Sequence, residues 1–195
     1  MIVPTLPNAI LLIVLGGAFI HFLIAGGRTF YFESATDDAG AALGQSFVFT
    51  GTLLTWWLGV RSPIPAANQL AAALVLAASL SLYEWARRTI RGRRFGLGFG
   101  DHVPDALCAV GPYRYIRHPI YVSYLLAFLA QLTALPHWIT AAVFLINIVL
   151  FVIVARHDER VIATSALAGD YAAYRERTGM FLPRLNRAGP DKSMR

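Results

Sequence analysis

Apolar residues form five long runs along the chain, and short polar segments separate them. An α-helix needs about 20 apolar residues to cross the hydrocarbon core of a bilayer. The pattern therefore predicts an all-α integral membrane protein with about five membrane-spanning helices. The second run has fifteen residues, so it is either a full span or an interfacial segment. The predicted spans are residues 8–26, 46–60, 67–86, 120–134 and 138–155.

The polar segments predict how these helices are connected. Leu135-Pro136-His137 interrupts the last two runs, so the fourth and fifth spans are expected to form a helical hairpin. Residues 87–119 form a long cytoplasmic loop whose second half is rich in glycine and proline. After the fifth span the chain is polar and amphipathic, which predicts a short C-terminal amphipathic helix. We expect residues 1–184 to form one membrane domain and residues 185–195 to form a flexible tail.

Basic residues indicate how the helices are oriented. In a five-span arrangement Arg61 falls on one side of the membrane, whereas the arginines of 87–94 and of the C-terminal region fall on the other. The positive-inside rule then places the N-terminus outside and the C-terminus in the cytoplasm. We expect this membrane to be the inner membrane of a prokaryote. A four-span arrangement would put Arg28 opposite the 87–94 cluster, so the charges favour five spans.

Composition narrows the classes of function. The chain has 195 residues, of which 56% are hydrophobic and 14% charged, so there is no room for a separate soluble catalytic domain. A single cysteine excludes a disulfide framework and a multi-cysteine zinc site, and the histidines lack the spacing of metal ligands, so no metal site is expected. The net charge of +6 comes from arginines that flank apolar runs, which favours lipid head groups over nucleic acid as partners. The sequence does not indicate an oligomeric state.

The densest polar run is Gly-Pro-Tyr-Arg-Tyr-Ile-Arg-His-Pro-Ile-Tyr at residues 111–121, where the cytoplasmic loop enters the fourth span. Pro119 suits the first turn of a helix. Arg114 and Arg117 fit an anchoring role at lipid phosphates, and the tyrosines fit an interfacial belt. His118 has no role in topology, and an imidazole titrates near neutrality. This residue makes the run a candidate for chemistry.

A second cluster, Arg156-His157-Asp158-Glu159-Arg160, follows the fifth span. Two adjacent carboxylates at a helix C-terminus oppose the helix dipole. They are tolerated if arginines pair with them, or they bind a cationic group of a ligand. Because the last two spans form a hairpin, the cluster should lie beside Arg117 and His118. Clusters that are distant in sequence and converge at one membrane face are typical of a functional site.

Two ionisable residues inside the predicted spans are interpreted as structural. Glu84 lies near the end of the third span, where a carboxylate is costly in lipid, and we expect Arg87 or Arg88 to pair with it. His21 lies inside the first span, and we expect it to be neutral and hydrogen-bonded rather than a ligand.

The C-terminal region contains two tyrosines on one predicted helix face. Tyr171 and Tyr174 are three residues apart, and we expect them to pack against the membrane domain. Residues 180–183, Met-Phe-Leu-Pro, are interpreted as a short apolar return of the chain.

Together these clusters resemble the isoprenylcysteine carboxyl methyltransferase family and, more loosely, the related phospholipid N-methyltransferases. The first family is recognised by the sequence pattern Gly-x-Tyr-x-x-x-Arg-His-Pro-x-Tyr-x-Gly. A helical hairpin, a Glu-Glu pair, a Gly-x-x-Tyr-x-x-Tyr tail and a closing proline follow it. The resemblance covers residues 95–184. Ser123 stands where the pattern has glycine, Asp158 replaces the first glutamate, and Asp105 replaces a histidine. The matching residues are Gly111, Tyr113, Arg117, His118, Pro119, Tyr121, Glu159, Gly169, Tyr171, Tyr174 and Pro183.

The resemblance implies a cytoplasmic pocket for S-adenosylmethionine and methyl transfer to a lipophilic or amphiphilic acceptor at the membrane boundary. Carboxyl O-methylation is favoured, with a lipid amine or a thiol as alternative acceptors. Arg156 and Glu159 are the implied catalytic residues, and Arg156 and Tyr124 the implied acceptor-binding residues. The implied cofactor-binding residues are Asp105, Ala106, Leu107, Cys108, Tyr113, Arg117, His118, Pro119, Ile120, Tyr121, Asp158 and Glu159.

Two other classes of protein remain as alternatives. Membrane reductases of the sterol-reductase type have similar C-terminal regions and use NADPH, but they have more spans than this chain can hold. A membrane scaffold without enzymatic activity would use its arginines and tyrosines only as anchors, and it would not bind the cofactor.

Overall fold

A computed structural model describes residues 6–29, 50–91, 103 and 106–184 of the chain. Helices dominate these residues, and strands are absent from them apart from one isolated bridge between Ile116 and Gly179. The predicted all-α class is confirmed. The helices are α1 (Leu6–Thr29), α2 (described over 50–61), α3 (Ala66–Thr89), a 3₁₀ turn (Gly111–Arg114), α4 (Pro119–Ala134), α5 (Trp138–Ala163) and α6 (Ala168–Arg177).

Three helices in the described part are long and apolar enough to cross a membrane: α1 over Leu6–Ala25, α3, and α5. Helix α4 is apolar but shorter, with 16 residues. Of the predicted second span, residues 46–49 lie outside the described part, so the number of five spans and the orientation stay predictions. The predicted flexible tail, 185–195, also lies outside it.

Helix α5 is longer than the hydrophobic pattern predicts. The apolar run ends at Ala155, but the helix continues to Ala163. Hydrophobicity marks where a helix leaves the bilayer, whereas backbone hydrogen bonding continues through good helix formers such as arginine and glutamate. The acidic pair therefore lies on regular helix, which gives its side chains fixed directions.

Small residues bring α3 and α4 close together, as is common between membrane helices. Ser79 and Ser123 are fully buried where these helices meet, and the Ser79 hydroxyl donates a hydrogen bond to the Ser123 carbonyl oxygen at 2.6 Å. Ser123 stands where the methyltransferase pattern has glycine, and its side chain is small enough for the close approach of α3 and α4. Helix α2 joins this pair, since the Gln131 amide donates to the Thr52 hydroxyl at 3.2 Å.

The connection before α4 is fixed to the membrane helices by an apolar cluster. Its members come from α1, α3, the 3₁₀ turn and α4, so the segment that carries the dense polar run is held in place by packing. Buried residues of the cluster are Phe22, Ala25, Tyr83, Ala86, Ile90, Cys108, Tyr113 and Ile120.

The intramembrane carboxylate has the partner that the sequence predicted. Arg87 Nη2 lies 2.7 Å from Glu84 Oε2, and Arg88 Nε lies 3.5 Å from the same oxygen. His21 Nε2 is 2.9 Å from Glu84 Oε1, which confirms a hydrogen-bonded histidine. Because two guanidinium groups and a hydrogen-bonded histidine surround it, the carboxylate is compensated where lipid would otherwise penalise its charge.

Candidate functional site

The start of α4 and the end of α5 meet at a buried ion pair. Arg117 Nε lies 2.7 Å from Glu159 Oε1, and each of the two side chains is 7% exposed. His118 Nε2 lies 3.3 Å from the same carboxylate oxygen. The two polar clusters that are distant in sequence therefore come together, as the predicted hairpin requires.

The two adjacent carboxylates have different partners. Asp158 Oδ2 accepts a hydrogen bond of 2.7 Å from the Tyr121 hydroxyl, whereas Glu159 binds a guanidinium group. The Tyr121 ring stacks on His118 and on Phe151, with centroid distances of 5.3 Å in both cases. Aromatic packing thus fixes the position of the hydroxyl that holds Asp158.

Burial disfavours the charged form of the His118 imidazole. Burial lowers the pKa of its imidazole below the usual value of 6.5, because the charged form is poorly solvated. The hydrogen bond with Glu159 opposes that shift, and the nearby Arg117 charge adds to it. A neutral imidazole can donate one hydrogen bond to the carboxylate and keep the other ring nitrogen as an acceptor.

Residues 178–183, here called the return segment, run back across the start of α4. The Arg117 and His118 backbone N–H groups donate to the Gly179 and Met180 carbonyl oxygens at 2.8 and 3.2 Å. Arg117 Nη1 donates to the Thr178 carbonyl oxygen. The Phe181 ring packs edge-on against His118 at 6.1 Å. The predicted apolar return is confirmed, and it forms one wall of the site.

Gly179 is the point at which the return segment tolerates no side chain. A Cβ there would collide with the Leu182 carbonyl oxygen, which is backbone and cannot rotate away. We expect Gly179→Ala to destabilise the protein by about 1–3 kcal/mol, the usual cost of forcing an extra carbon into a packed place. Thermal unfolding of the detergent-purified protein measures this.

Gly169 provides the matched control for that substitution. It lies near the start of α6, and no atom lies within 4 Å of the position that an alanine methyl group would take there. Gly169→Ala should be neutral or stabilise by about 0.5–1 kcal/mol, because alanine favours helix. Equal effects of the two substitutions would contradict the assigned role of Gly179.

Helix α6 is attached to the site by its tyrosines. Tyr171 and Tyr174 are buried, which confirms that this helix face packs against the membrane domain. The Tyr174 hydroxyl donates to the Tyr113 carbonyl oxygen at 2.6 Å. Tyr113 follows Gly111, whose φ of +58° is a left-handed conformation that suits glycine.

The remaining predicted site residues have varied surroundings. Pro119 and Ile120 are buried at the start of α4, and Cys108 is buried in the apolar cluster described above. Ala106 is exposed and Leu107 is half-buried. Asp105 lies outside the described residues.

Tyr124 and Arg156, the implied acceptor-binding residues, have surroundings that differ from those of the ion pair. Tyr124 is half-buried, and its ring is 5.1 Å from Phe22 and 5.8 Å from Phe151 between centroids. Arg156 is exposed on α5, one turn before Glu159. The guanidinium that binds Glu159 directly is that of Arg117.

Three residues that were not predicted contribute to the site. Arg175 Nε lies 3.8 Å from Glu159 Oε2, and Phe151 and Phe181 pack on Tyr121 and His118. Arg175 was detectable in principle, because it follows Tyr171 by four residues and so shares its helix face. The phenylalanines belong to apolar segments that carry no such signal.

The assembled groups can bind and orient a ligand. The site offers two carboxyl groups, two guanidinium groups, an imidazole and aromatic faces, which come from the start of α4, from α5, from α6 and from the return segment. Such a set can hold a ligand that carries both charges and a planar ring.

Comparison with known proteins gives one family. The family model described as phospholipid methyltransferase matches residues 67–165, slightly more than half of the chain. The matched region runs from α3 to just beyond α5, so it includes the dense polar run and the acidic pair. No curated protein matches the chain.

Proposed function

The chain belongs to the phospholipid methyltransferase family, and on this basis we propose that it transfers a methyl group from S-adenosylmethionine to a lipophilic or amphiphilic acceptor at the membrane–cytoplasm boundary. The observation that carries the proposal is the buried junction of Arg117, His118 and Glu159, with Asp158 beside it. The family is one of methyltransferases, which favours methyl transfer over the reductase and scaffold alternatives.

The residues of the site fit this cofactor by their chemistry. Asp158 and Glu159 provide acceptors for an ammonium group or for ribose hydroxyls. Among the described residues, the buried Tyr171 hydroxyl has no hydrogen-bond partner, so it has donor capacity for a ligand. Tyr113 and the 106–108 segment are the proposed neighbours of the nucleoside.

The cofactor, when bound, supplies a methyl group that is already activated on a sulfonium sulfur. The protein therefore needs no strong base at this site, and its residues act by placing the reactants and excluding water. The buried Arg117–Glu159 pair and the return segment provide a wall from which water is largely excluded.

The acceptor is proposed to approach from the bilayer side. Tyr124 and Phe151 offer an aromatic surface between the spanning helices. Arg156 is exposed at the boundary, where a guanidinium can bind a carboxylate with two hydrogen bonds. We favour a carboxylate acceptor for this reason, and a phospholipid amine is the second candidate because of the family to which the chain belongs.

Ligand-dependent stability tests the proposed cofactor. We expect S-adenosylhomocysteine, at 100 times its dissociation constant, to stabilise the detergent-purified protein by about 2.7 kcal/mol. A thermal unfolding titration measures this, with NADPH as the matched control ligand. Stabilisation by NADPH and none by S-adenosylhomocysteine would overturn the proposal.

Product chemistry then separates the two acceptors. Membranes that contain the protein are incubated with methyl-labelled S-adenosylmethionine, and the labelled lipid fraction is treated with mild base. A methyl ester releases its label as methanol, whereas an N-methyl group retains it. If the label stays with the phospholipid head group, the acceptor is an amine and the proposed carboxylate acceptor is wrong.

A further inference from the structure

Helix α6 carries two buried tyrosines whose hydroxyl groups differ in their bonding. The Tyr174 hydroxyl donates to the Tyr113 carbonyl oxygen at 2.6 Å. The Tyr171 side chain is 3% exposed, and its hydroxyl has no hydrogen-bond partner within the part of the chain that the structure describes. Burial removes a hydroxyl from its hydrogen bonds with water. Buried polar groups in folded proteins nearly always have a replacement partner, so the state of this hydroxyl needs an explanation.

The surroundings of Tyr171 connect it with the candidate site. Arg175 lies one turn further along α6, and its Nε is 3.8 Å from Glu159 Oε2. Arg117 Nη1 lies 3.4 Å from the Arg175 carbonyl oxygen, which ties this face of α6 to the ion pair. Tyr171 interacts electrostatically with Glu159, Arg117 and Arg175. Tyr171 therefore lies on the face of α6 that borders the candidate site.

The charges beside this face of α6 favour a ligand group that accepts hydrogen bonds. Arg117 compensates Glu159 directly at 2.7 Å, and Arg175 is 60% exposed, so its guanidinium has donors left for another partner. Burial raises the pKa of Tyr171 above its ordinary value, which keeps the phenol protonated as a donor. A phenol and a guanidinium on the same helix face suit a carboxylate.

We propose that the Tyr171 hydroxyl binds the carboxylate of the cofactor's amino-acid portion, with Arg175 as the neighbouring positive charge. This inference rests on the proposed function, because it assigns one more group of the same cofactor site. Glu159 and Asp158 remain available for the cationic and hydroxyl groups of the ligand. Tyr171 is then a binding residue, whereas Tyr174 is structural.

Two ligands that differ in the amino-acid portion test the assignment. S-adenosylhomocysteine carries the carboxylate, whereas 5′-methylthioadenosine has the same nucleoside and sulfur without it. Binding of each to the full-length protein in detergent is measured by calorimetry for the wild type, Tyr171→Phe and Tyr174→Phe. We expect Tyr171→Phe to weaken S-adenosylhomocysteine binding about tenfold, as for a lost hydrogen bond to a charged group. Binding of 5′-methylthioadenosine should not change.

The melting temperature separates a binding role from a structural one. Tyr171→Phe should keep or raise it, since the removed hydroxyl has no internal partner. Tyr174→Phe should lower it and leave both affinities within about twofold, because its hydroxyl is used inside the protein. Arg175→Gln provides a second variant that should weaken only S-adenosylhomocysteine.

Three outcomes would overturn the inference or its premise. Unchanged S-adenosylhomocysteine affinity in Tyr171→Phe would show that the hydroxyl does not bind this ligand. Equal weakening of both ligands would exclude the carboxylate as its partner. Failure of the wild type to bind S-adenosylhomocysteine would overturn the proposed function itself, and so differs from the other two results.

Discussion

Replacing Arg117 with alanine is expected to lower the free energy of unfolding by about 3–5 kcal/mol, because it leaves Glu159 buried without its counter-charge. The substitution also removes the donor to the Thr178 carbonyl oxygen, so the return segment loses part of its attachment. Reversible unfolding in mixed detergent micelles measures the loss. This is the largest stability effect that we expect from a single side chain of the site.

Arg175→Ala is the matched control, because it removes an arginine from the same carboxylate. Arg175 is 60% exposed and its Nε lies 3.8 Å from Glu159, so its removal should cost about 1 kcal/mol or less. Leucine at both Arg117 and Glu159 should restore part of the stability, since no charge is left unpaired. A loss in Arg117→Ala as small as that in Arg175→Ala would show that Glu159 is solvated and the pair is not buried.

The convergence of the two polar clusters could be predicted from the sequence because it depends on few features. Leu135-Pro136-His137 forces a turn between two apolar runs, and antiparallel helices built on runs of similar length bring their far ends together. The dense run precedes one of these helices and the acidic cluster follows the other. Local sequence signals of this kind predict the fold well, because few arrangements of two helices are compatible with so short a turn.

The direction of each side chain could not be predicted in the same way. Successive residues on a helix point about 100° apart, so Asp158 and Glu159 face different neighbours although they are adjacent in sequence. Packing of α5 against α4 decides that Glu159 meets Arg117 and that Arg156 stays exposed. The same limit applies to Tyr171 and Tyr174, which share a face but differ in their hydroxyl partners.

The length of α5 shows a second limit of the hydrophobic pattern. Hydropathy predicted an end at Ala155, and the helix runs to Ala163. Hydropathy measures the preference of side chains for lipid, which is a separate quantity from the preference of the backbone for helix. At a membrane boundary a helix can continue after its side chains cease to favour lipid. A prediction of spans from hydropathy therefore misses the helix geometry of sites that lie there.

The chemistry of methyl transfer limits what the acidic pair can usefully do. The positive charge of a sulfonium disappears as its methyl group leaves. A carboxylate that stabilised this charge would stabilise the ground state more than the transition state, and would slow the reaction. Asp158 and Glu159 should therefore act on parts of the cofactor that are remote from the sulfur, and their contribution should appear in binding.

Asp158→Asn is accordingly expected to raise KM for S-adenosylmethionine by about tenfold to a hundredfold, the value of a hydrogen bond to a charged group, with kcat unchanged within about threefold. The Tyr121 hydroxyl, 2.7 Å from Asp158 Oδ2, can still donate to an amide oxygen, so the fold should persist. Steady-state rates of methyl incorporation into membrane lipid at varied cofactor concentration measure both constants.

Tyr121→Phe is the control, because it removes the hydroxyl that orients Asp158 and leaves the carboxyl group in place. It should raise KM by less than Asp158→Asn does, again with little effect on kcat. A fall in kcat of about a hundredfold at unchanged KM in Asp158→Asn would instead place the carboxylate in the transition state. That result would contradict the role in cofactor binding, because it would require Asp158 to stabilise charge that develops during transfer.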